Sequence, residues 1–255
     1  MSKIDMDVKM IVTDLDGTLL REDKTISART RTVLRQCRDP GIKIACATGR
    51  GTSERVIPDE MLDANITFNG AVAKIGDTVI YNCLVPCLSA RPLLAACAER
   101  GLKTASQFKG MHYSNFVVSD EWWYITTFEI VDFRKHDKDA EKLYILVNSS
   151  DDVDFIEKHL VDDLYLSVSR DNMAMIMHKD ATKSNAVAAL AEYWGIEQFE
   201  IVAFGDDMND LDMLQYCGIG VAVTNALDEV KAVADYICDT NENDGVAKWL
   251  EENVL

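Results

Sequence analysis

Along the first part of the chain, apolar positions come in short bursts separated by stretches with helical spacing. Residues 8–13, with the apolar run Met10 to Val12, read as a strand. Residues 27–38 read as a helix with Ser27 as its N-cap. Pro40-Gly41 breaks the chain before a second apolar strand, Ile42 to Ala47, and a helix is predicted from near Thr52-Ser53. Ile66 to Phe68 is a further strand, Asn69-Gly70 a turn, and residues 71–75 and 78–82 a hairpin around Gly76-Asp77. Strands separated by helices imply βαβ units with right-handed crossovers and a parallel sheet.

The pattern then changes. Residues 89–100 form an amphipathic helix ending at Gly101. Residues 113–118, 122–127, 142–147, 164–169 and 173–178 read as strands, several of them aromatic or β-branched, with a helix near 151–160 among them. This stretch predicts an α+β insert with an antiparallel sheet. Met173, Met175 and Met177 alternate, which places them on one face of a strand. The strand–helix alternation returns with a helix from Lys183 to Trp194, a strand from Glu200 to Phe204 and a helix from Asp207 to Tyr216. It continues through strands at 218–223 and 235–238 and helices at 226–233 and 245–253. The expected architecture is therefore a doubly wound, Rossmann-like α/β core made of residues 1–82 and 181–255, with an α+β domain, 83–180, inserted into it.

Composition narrows the possible partners. A chain of 255 residues suits one large domain or two modest ones, and 48% hydrophobic with 27% charged residues is an ordinary globular balance. The net charge of −17 argues against nucleic acid and against anionic membranes. It also means that an anionic substrate would need a local cation to reverse the field. The polar, acidic start carries no signal pattern, and no apolar run is long enough to span a bilayer. The seven cysteines are scattered and sit mostly in apolar surroundings, as reduced thiols of a cytoplasmic protein do. Cys83 and Cys87 have no second Cys/His pair at zinc spacing. The four histidines, His112, His136, His159 and His178, are scattered through the insert and read as core or surface residues.

Four clusters fall at or near the carboxyl edge of the predicted sheet, where open parallel sheets bind ligands. The first is Asp14-Leu15-Asp16-Gly17-Thr18, where a buried strand delivers two carboxylates to a tight turn. Charges at a buried strand end need a partner, and a divalent cation with a phosphate is a natural one. The one-residue spacing alone is uninformative, since Asp5/Asp7, Asp137/Asp139, Asp152/Asp154 and Asp210/Asp212 share it without the strand-then-Gly-Thr context. The other clusters are Thr48-Gly49-Arg50 after the second strand, Lys183 opening a helix, and Gly205-Asp206-Asp207-Met208-Asn209-Asp210 after the strand ending at Phe204.

In this order and spacing, the clusters resemble the haloacid dehalogenase-like phosphatase superfamily. The segments TDLDGTLL, ATGR and GDDMNDLDML are similar to its Cof-type sugar-phosphatase branch, and the insert falls where that branch carries its cap domain. The resemblance implies that Asp14 is the nucleophile that forms an aspartyl-phosphate, and that Asp16 is the general acid and then base. It implies Mg2+ held by Asp14, Asp206 and the backbone carbonyl of Asp16, with Asp207 or Asp210 orienting its waters. Thr48, with the backbone N–H groups from Gly49 onward, would contact the phosphoryl group. Lys183 would cancel charge between Asp14 and phosphate. Asn209 would reach a phosphate oxygen or that lysine. Arg50 would touch the phosphate or tie down its loop, and Asn69 would lie near the site. Members of the family often carry Gly after the lysine, where this chain has Ser184, which leaves Lys179 as an alternative. Helix N-capping is the competing role for Thr48, Asp206 and Asp207. The implied activity is hydrolysis of a small phosphorylated metabolite, a sugar phosphate, with the insert as a mobile lid that sets specificity. A phosphotransferase or mutase on the same scaffold, and a non-catalytic phospho-receiver module, remain open at this point. The oligomeric state is not legible.

Overall fold

A computed structural model describes residues 7–51, 57–58, 61–169 and 172–255; the helix expected from Thr52-Ser53 lies outside the described residues. The chain divides into two compact units, Met1–Asn82 with Thr182–Leu255, and Cys83–Ala181.

The first unit begins with β1 (Met10–Thr13), α1 (Ala28–Arg38), β2 (Lys43–Ala47), β3 (Ala64–Thr67), β4 (Val72–Ile75) and β5 (Thr78–Asn82). The second unit contains α2 (Cys87–Glu99), β6 (Lys103–Phe108), β7 (Met111–Ser114), β8 (Phe128–Ile130), β9 (Lys142–Leu146), α3 (Ser150–His159), β10 (Leu164–Val168) and β11 (Met173–His178). The first unit then resumes with α4 (Lys183–Trp194), β12 (Ile201–Gly205), α5 (Leu211–Tyr216), β13 (Ile219–Val223), α6 (Asp228–Val233), β14 (Tyr236–Cys238) and α7 (Gly245–Asn253).

In the first unit eight strands form one sheet in the order β14-β13-β12-β1-β2-β3-β4-β5. The six strands from β14 to β3 are parallel, and β4 and β5 add an antiparallel hairpin. All four residues of β1 and all five of β12 and β13 are buried, as expected of central strands covered on both faces. The core gathers Met10, Ile11 and Val12 with Ile44, Phe204, Val221, Leu190 and Leu250. Ser27 caps α1 as the sequence predicts, its side chain accepting from the Thr30 N–H.

In the second unit the sheet runs β10-β11-β9-β6-β7-β8 and is antiparallel except for the β7–β8 pair. Its core joins Leu143, Ile145, Ala174 and Ile176 from the sheet to Leu93, Leu94 and Ile156 from α2 and α3. Ala174 and Ile176 point into that core, so Met173, Met175 and Met177, which alternate with them, lie on the opposite face of β11. Two expectations change here. Residues 122–127 are not a strand; the pairing segment begins at Phe128. Lys103–Phe108, not predicted, is a strand inside the sheet. Among the described residues no helix is long and apolar enough to cross a membrane.

Candidate active site

The sheet order puts β12, β1 and β2 side by side and in parallel, so the residues that follow them emerge along one edge. Asp14 follows β1, Thr48 follows β2, and Asp206 follows β12. The Asp14 N–H extends the ladder by donating to the Phe204 carbonyl at 2.9 Å, which fixes the root of the side chain.

The centre of the site is Lys183. Its side chain is fully buried, and its ammonium donates to Asp14 Oδ1 and to Asp210 Oδ1, each at 2.6 Å. Burial alone would lower the lysine pKa, but Asp14 and Asp210 outweigh it and hold the group charged. Asp210 is saturated: its second oxygen accepts from the N–H groups of both Asp206 and Asp207. It acts as a prop for the lysine and the loop. Asp207 is exposed and caps the short 3-10 turn Met208–Asp210 through the Met208 N–H, so its N-cap role is the one realised.

Asp206 completes the acidic group. Carboxylate oxygens of Asp14, Asp206 and Asp210 lie within 4.8 Å of one another. Thr18 donates its hydroxyl to Asp206 Oδ1 at 2.5 Å. Gly17, at φ +88°, carries the chain so close to Asp206 that a Cβ there would stand 2.4 Å from Oδ2; only glycine suits both the φ and the space. Burial, followed by the charges of Asp210 and Asp207, pushes the Asp206 carboxyl up to about 6 despite the Thr18 bond. Burial and the neighbouring carboxylates push Asp14 up as well, against the pull of Lys183. With all three ionised, these carboxylates face one ammonium and lack two positive charges, and the raised pKa values of Asp14 and Asp206 are the signature of that shortfall. A hard, oxygen-only donor set with that deficit fits a divalent cation such as Mg2+.

Asp16 points elsewhere. Its carboxylate accepts from Arg50 Nε at 2.5 Å and Nη2 at 2.7 Å, and from Lys24 Nζ at 2.7 Å. Partial burial raises its pKa, but the Arg50 fork and the Lys24 ammonium outweigh burial and hold the carboxyl at about 2. In this arrangement Asp16 is a carboxylate, the form of a base. Of the two roles expected for Arg50, the structure displays the loop tie.

Thr48 is buried; its hydroxyl oxygen accepts from the Arg50 N–H at 3.2 Å, which leaves its proton for another acceptor. The Asn69 N–H bonds the Thr48 carbonyl at 3.0 Å, and the Asn69 side chain lies against Gly49. Asn209 does not reach Lys183: its amide donates to Asn69 Oδ1 at 2.9 Å, a bond between two loops. Gly70, at φ +102°, packs on the peptide that opens α4, and a Cβ there would stand 2.0 Å from the Thr182 carbonyl oxygen. The Asn69-Gly70 turn therefore braces the Thr48 loop, the Asn209 loop and the backbone under Lys183. Lys179, the alternative lysine, is exposed, with its N–H on the Asp163 carbonyl.

Sequence reasoning passes over Thr18, Lys24 and Asp212, whose carboxylate accepts from the Ser184 N–H beside Lys183 at 2.9 Å. Thr18 stands in the Gly-Thr turn that was read for its geometry alone. Lys24 carries no local signal, because it reaches Asp16 only once the chain has turned back. The sequence does show Asp212, two residues from Asp210, but that spacing occurs throughout this acidic chain.

Residues 11–250 match the family model of haloacid dehalogenase-like hydrolases. A 5-amino-6-(5-phospho-D-ribitylamino)uracil phosphatase of Bacillus subtilis, YitU, is 28% identical over 260 residues, covering 95% of this chain and 96% of its own length. The solved structure of BT1666 from Bacteroides thetaiotaomicron, described among phosphatases of the haloalkanoate (HAD) enzyme superfamily, superposes with a TM-score of 0.83. It is 25% identical and covers 98% of this chain and 97% of its own. The HAD subclass IIB sugar phosphatase BT4131 shares the fold with a TM-score of 0.81 at 24% identity, covering 96% and 98%. With a family match from the first core strand to the last helix and relatives aligned over nearly their whole length, the chain belongs to the haloacid dehalogenase-like hydrolases and is a phosphatase of that superfamily.

Proposed function

We propose that the protein is a Mg2+-dependent phosphomonoesterase that hydrolyses a small phosphorylated metabolite, with the phosphate carried on a sugar or polyol chain. The observation that carries this reading is the buried Lys183 ammonium bridging Asp14 and Asp210, with Asp206 beside them and two positive charges lacking. The polyol-phosphate preference draws on the Bacillus relative, which is named for a ribityl phosphate. No disulfide joins the seven cysteines among the described residues, which supports a cytoplasmic location.

Asp14 would attack phosphorus in line through a carboxylate oxygen, and the bond to the leaving oxygen would break as the aspartyl-phosphate forms. Lys183 orients Asp14 through Oδ1 and lowers the repulsion between its carboxylate and the incoming dianion. When bound, Mg2+ held by Asp14, Asp206 and the Asp16 carbonyl would supply a Lewis-acid contact to the phosphate and offset its charge. The hydroxyl proton of Thr48 is available to a phosphate oxygen. Asp16 would hand a proton to the leaving alcohol and then take one from the water that cleaves the Asp14 acyl phosphate. Its carboxylate is ready for the second half of that cycle. For the first half, Arg50 must let go and the Asp16 carboxylate must first take up a proton from solvent; a phosphate dianion is the natural competitor for the guanidinium.

The test is release of phosphate from p-nitrophenyl phosphate and from a panel of sugar and polyol phosphates. Turnover should need Mg2+, stop on chelation and disappear in Asp14→Asn. An Asp14→Asn protein that still turns over substrate sinks the nucleophile assignment, and full activity in excess chelator sinks the metal.

A further inference from the structure

The first turn of α4 has orphan backbone N–H groups that need acceptors. Thr182, the N-cap, takes the Asn185 N–H on its hydroxyl at 3.2 Å, and its carbonyl takes Ala186 at 3.3 Å. The Ser184 N–H is satisfied from outside the helix: it donates to Asp212 Oδ2 at 2.9 Å. Asp212 belongs to α5, the helix that follows Asp210. Two bridges therefore join the same pair of segments. One is the buried Lys183 ammonium on Asp210, and the other, one residue along α4 and two along α5, is the Ser184 N–H on Asp212.

We propose that Asp212 is a positioning residue for Lys183: its carboxylate holds the backbone under the lysine so that the ammonium meets Asp14 and Asp210. Lysine is a poor residue for this purpose on its own. Its stem has four rotatable carbons, and a cation in the first turn of a helix opposes the macrodipole. An acceptor carboxylate at the adjacent N–H counters both problems. It anchors the main chain at the residue next to Lys183 and adds negative charge where the helix end is positive. Ser184 fits this arrangement, because any residue with a free N–H can occupy the position. The proposal rests on the reading that Lys183 acts on Asp14 and the phosphoryl group.

The experiment measures kcat, KM and melting temperature for Asp212→Ala, Asp212→Asn, Lys183→Met and Lys183→Met/Asp212→Ala with p-nitrophenyl phosphate and Mg2+. Loss of a fixed position for a charged group costs roughly tenfold to a hundredfold, so Asp212→Ala should lose at least about tenfold in kcat with a smaller change in KM. Asp212→Asn keeps an oxygen acceptor for the Ser184 N–H and should recover to within about threefold of the parent. In the Lys183→Met background, Asp212→Ala should change kcat by less than about twofold, because the group being positioned is gone. Wild-type kcat in a folded Asp212→Ala overturns the proposal. So does a kcat loss that tracks only the unfolded fraction, or one that persists in full without Lys183. If Lys183→Met itself keeps wild-type activity, the role given to Lys183 fails first and takes this proposal with it.

Discussion

At the scale of single residues, the site is set by backbone approaches that only one residue type tolerates. Gly70 is the sharpest case, with φ at +102° and no room for a side chain before the Thr182 carbonyl and the Lys183 amide. Alanine there must either distort the turn or push α4 away. We expect Gly70→Ala to cost at least about 2 kcal/mol of stability, the scale of one strained backbone position plus a clash. We also expect it to lower kcat through displacement of Lys183. Thermal melts and steady-state rates on the same preparation check this, and an unchanged melting temperature would contradict it. What could be read at this scale was chemistry confined to a short segment. Asp14, Asp206 and Lys183 could be singled out because each follows or opens an element in a recognisable context, and the fold brings them together. Asp212, Lys24 and the Asn69–Asn209 bond depend on distant segments meeting, and local spacing carries no trace of them.

At the scale of elements, periodicity worked where apolar residues are inside and failed where polar ones are. The helix Lys183–Trp194 is observed with the predicted ends, because Thr182 caps it and a clear apolar face follows. Lys103–Phe108 gave no strand signal, since the buried positions are Thr104, Ala105 and Ser106, and the hydroxyl of Ser106 is satisfied by His136 Nε2 at 3.1 Å. Residues 122–127 misled in the opposite sense: their composition suits a strand, yet Trp122 packs edge-on against Tyr144 while Trp123 is 84% exposed. The pairing of β7 with its neighbours also buries a histidine. His112 is 8% exposed and lies 2.7 Å from the Tyr144 hydroxyl, and burial, helped by the Lys142 charge, lowers its pKa to about 4. In the unfolded chain the ring takes a proton near pH 6.5, so the unfolded state binds the extra proton below that value. Its contribution to stability is complete above pH 6.5, is lost as pH falls, and levels off below about 4. At pH 5 the loss is about 2 kcal/mol. His112→Gln keeps an amide beside Tyr144 and cannot titrate, so the wild-type-minus-variant stability should fall across this window. Parallel pH curves for the two proteins would remove His112 as the cause.

At the scale of the whole molecule, the chain builds two separate hydrophobic clusters. One is drawn entirely from the split unit and the other entirely from Cys83–Ala181. The second has what a domain needs: a six-stranded sheet, two helices on one of its faces, and a core of Leu, Ile and Val with Phe133. Its ends also meet. Cys83 Sγ, at the entry, is 3.3 Å from His178 Nδ1 near the exit, and Val85 pairs with Ala140. An insert whose entry and exit lie together leaves the host sheet's register to be set by pairing between β1 and β12, on either side of the interruption in sequence. Loop-closure entropy grows only slowly with length, so a long insertion costs the host little. The two units should therefore be separable in opposite ways. Residues 83–181 expressed alone should melt cooperatively with a mixed α/β circular-dichroism spectrum. The chain with those residues replaced by a short Gly/Ser linker should keep its own cooperative transition. If the isolated segment stays unfolded while the full chain melts in one step, the insert's core is not sufficient by itself, and the two clusters must be treated as one folding unit.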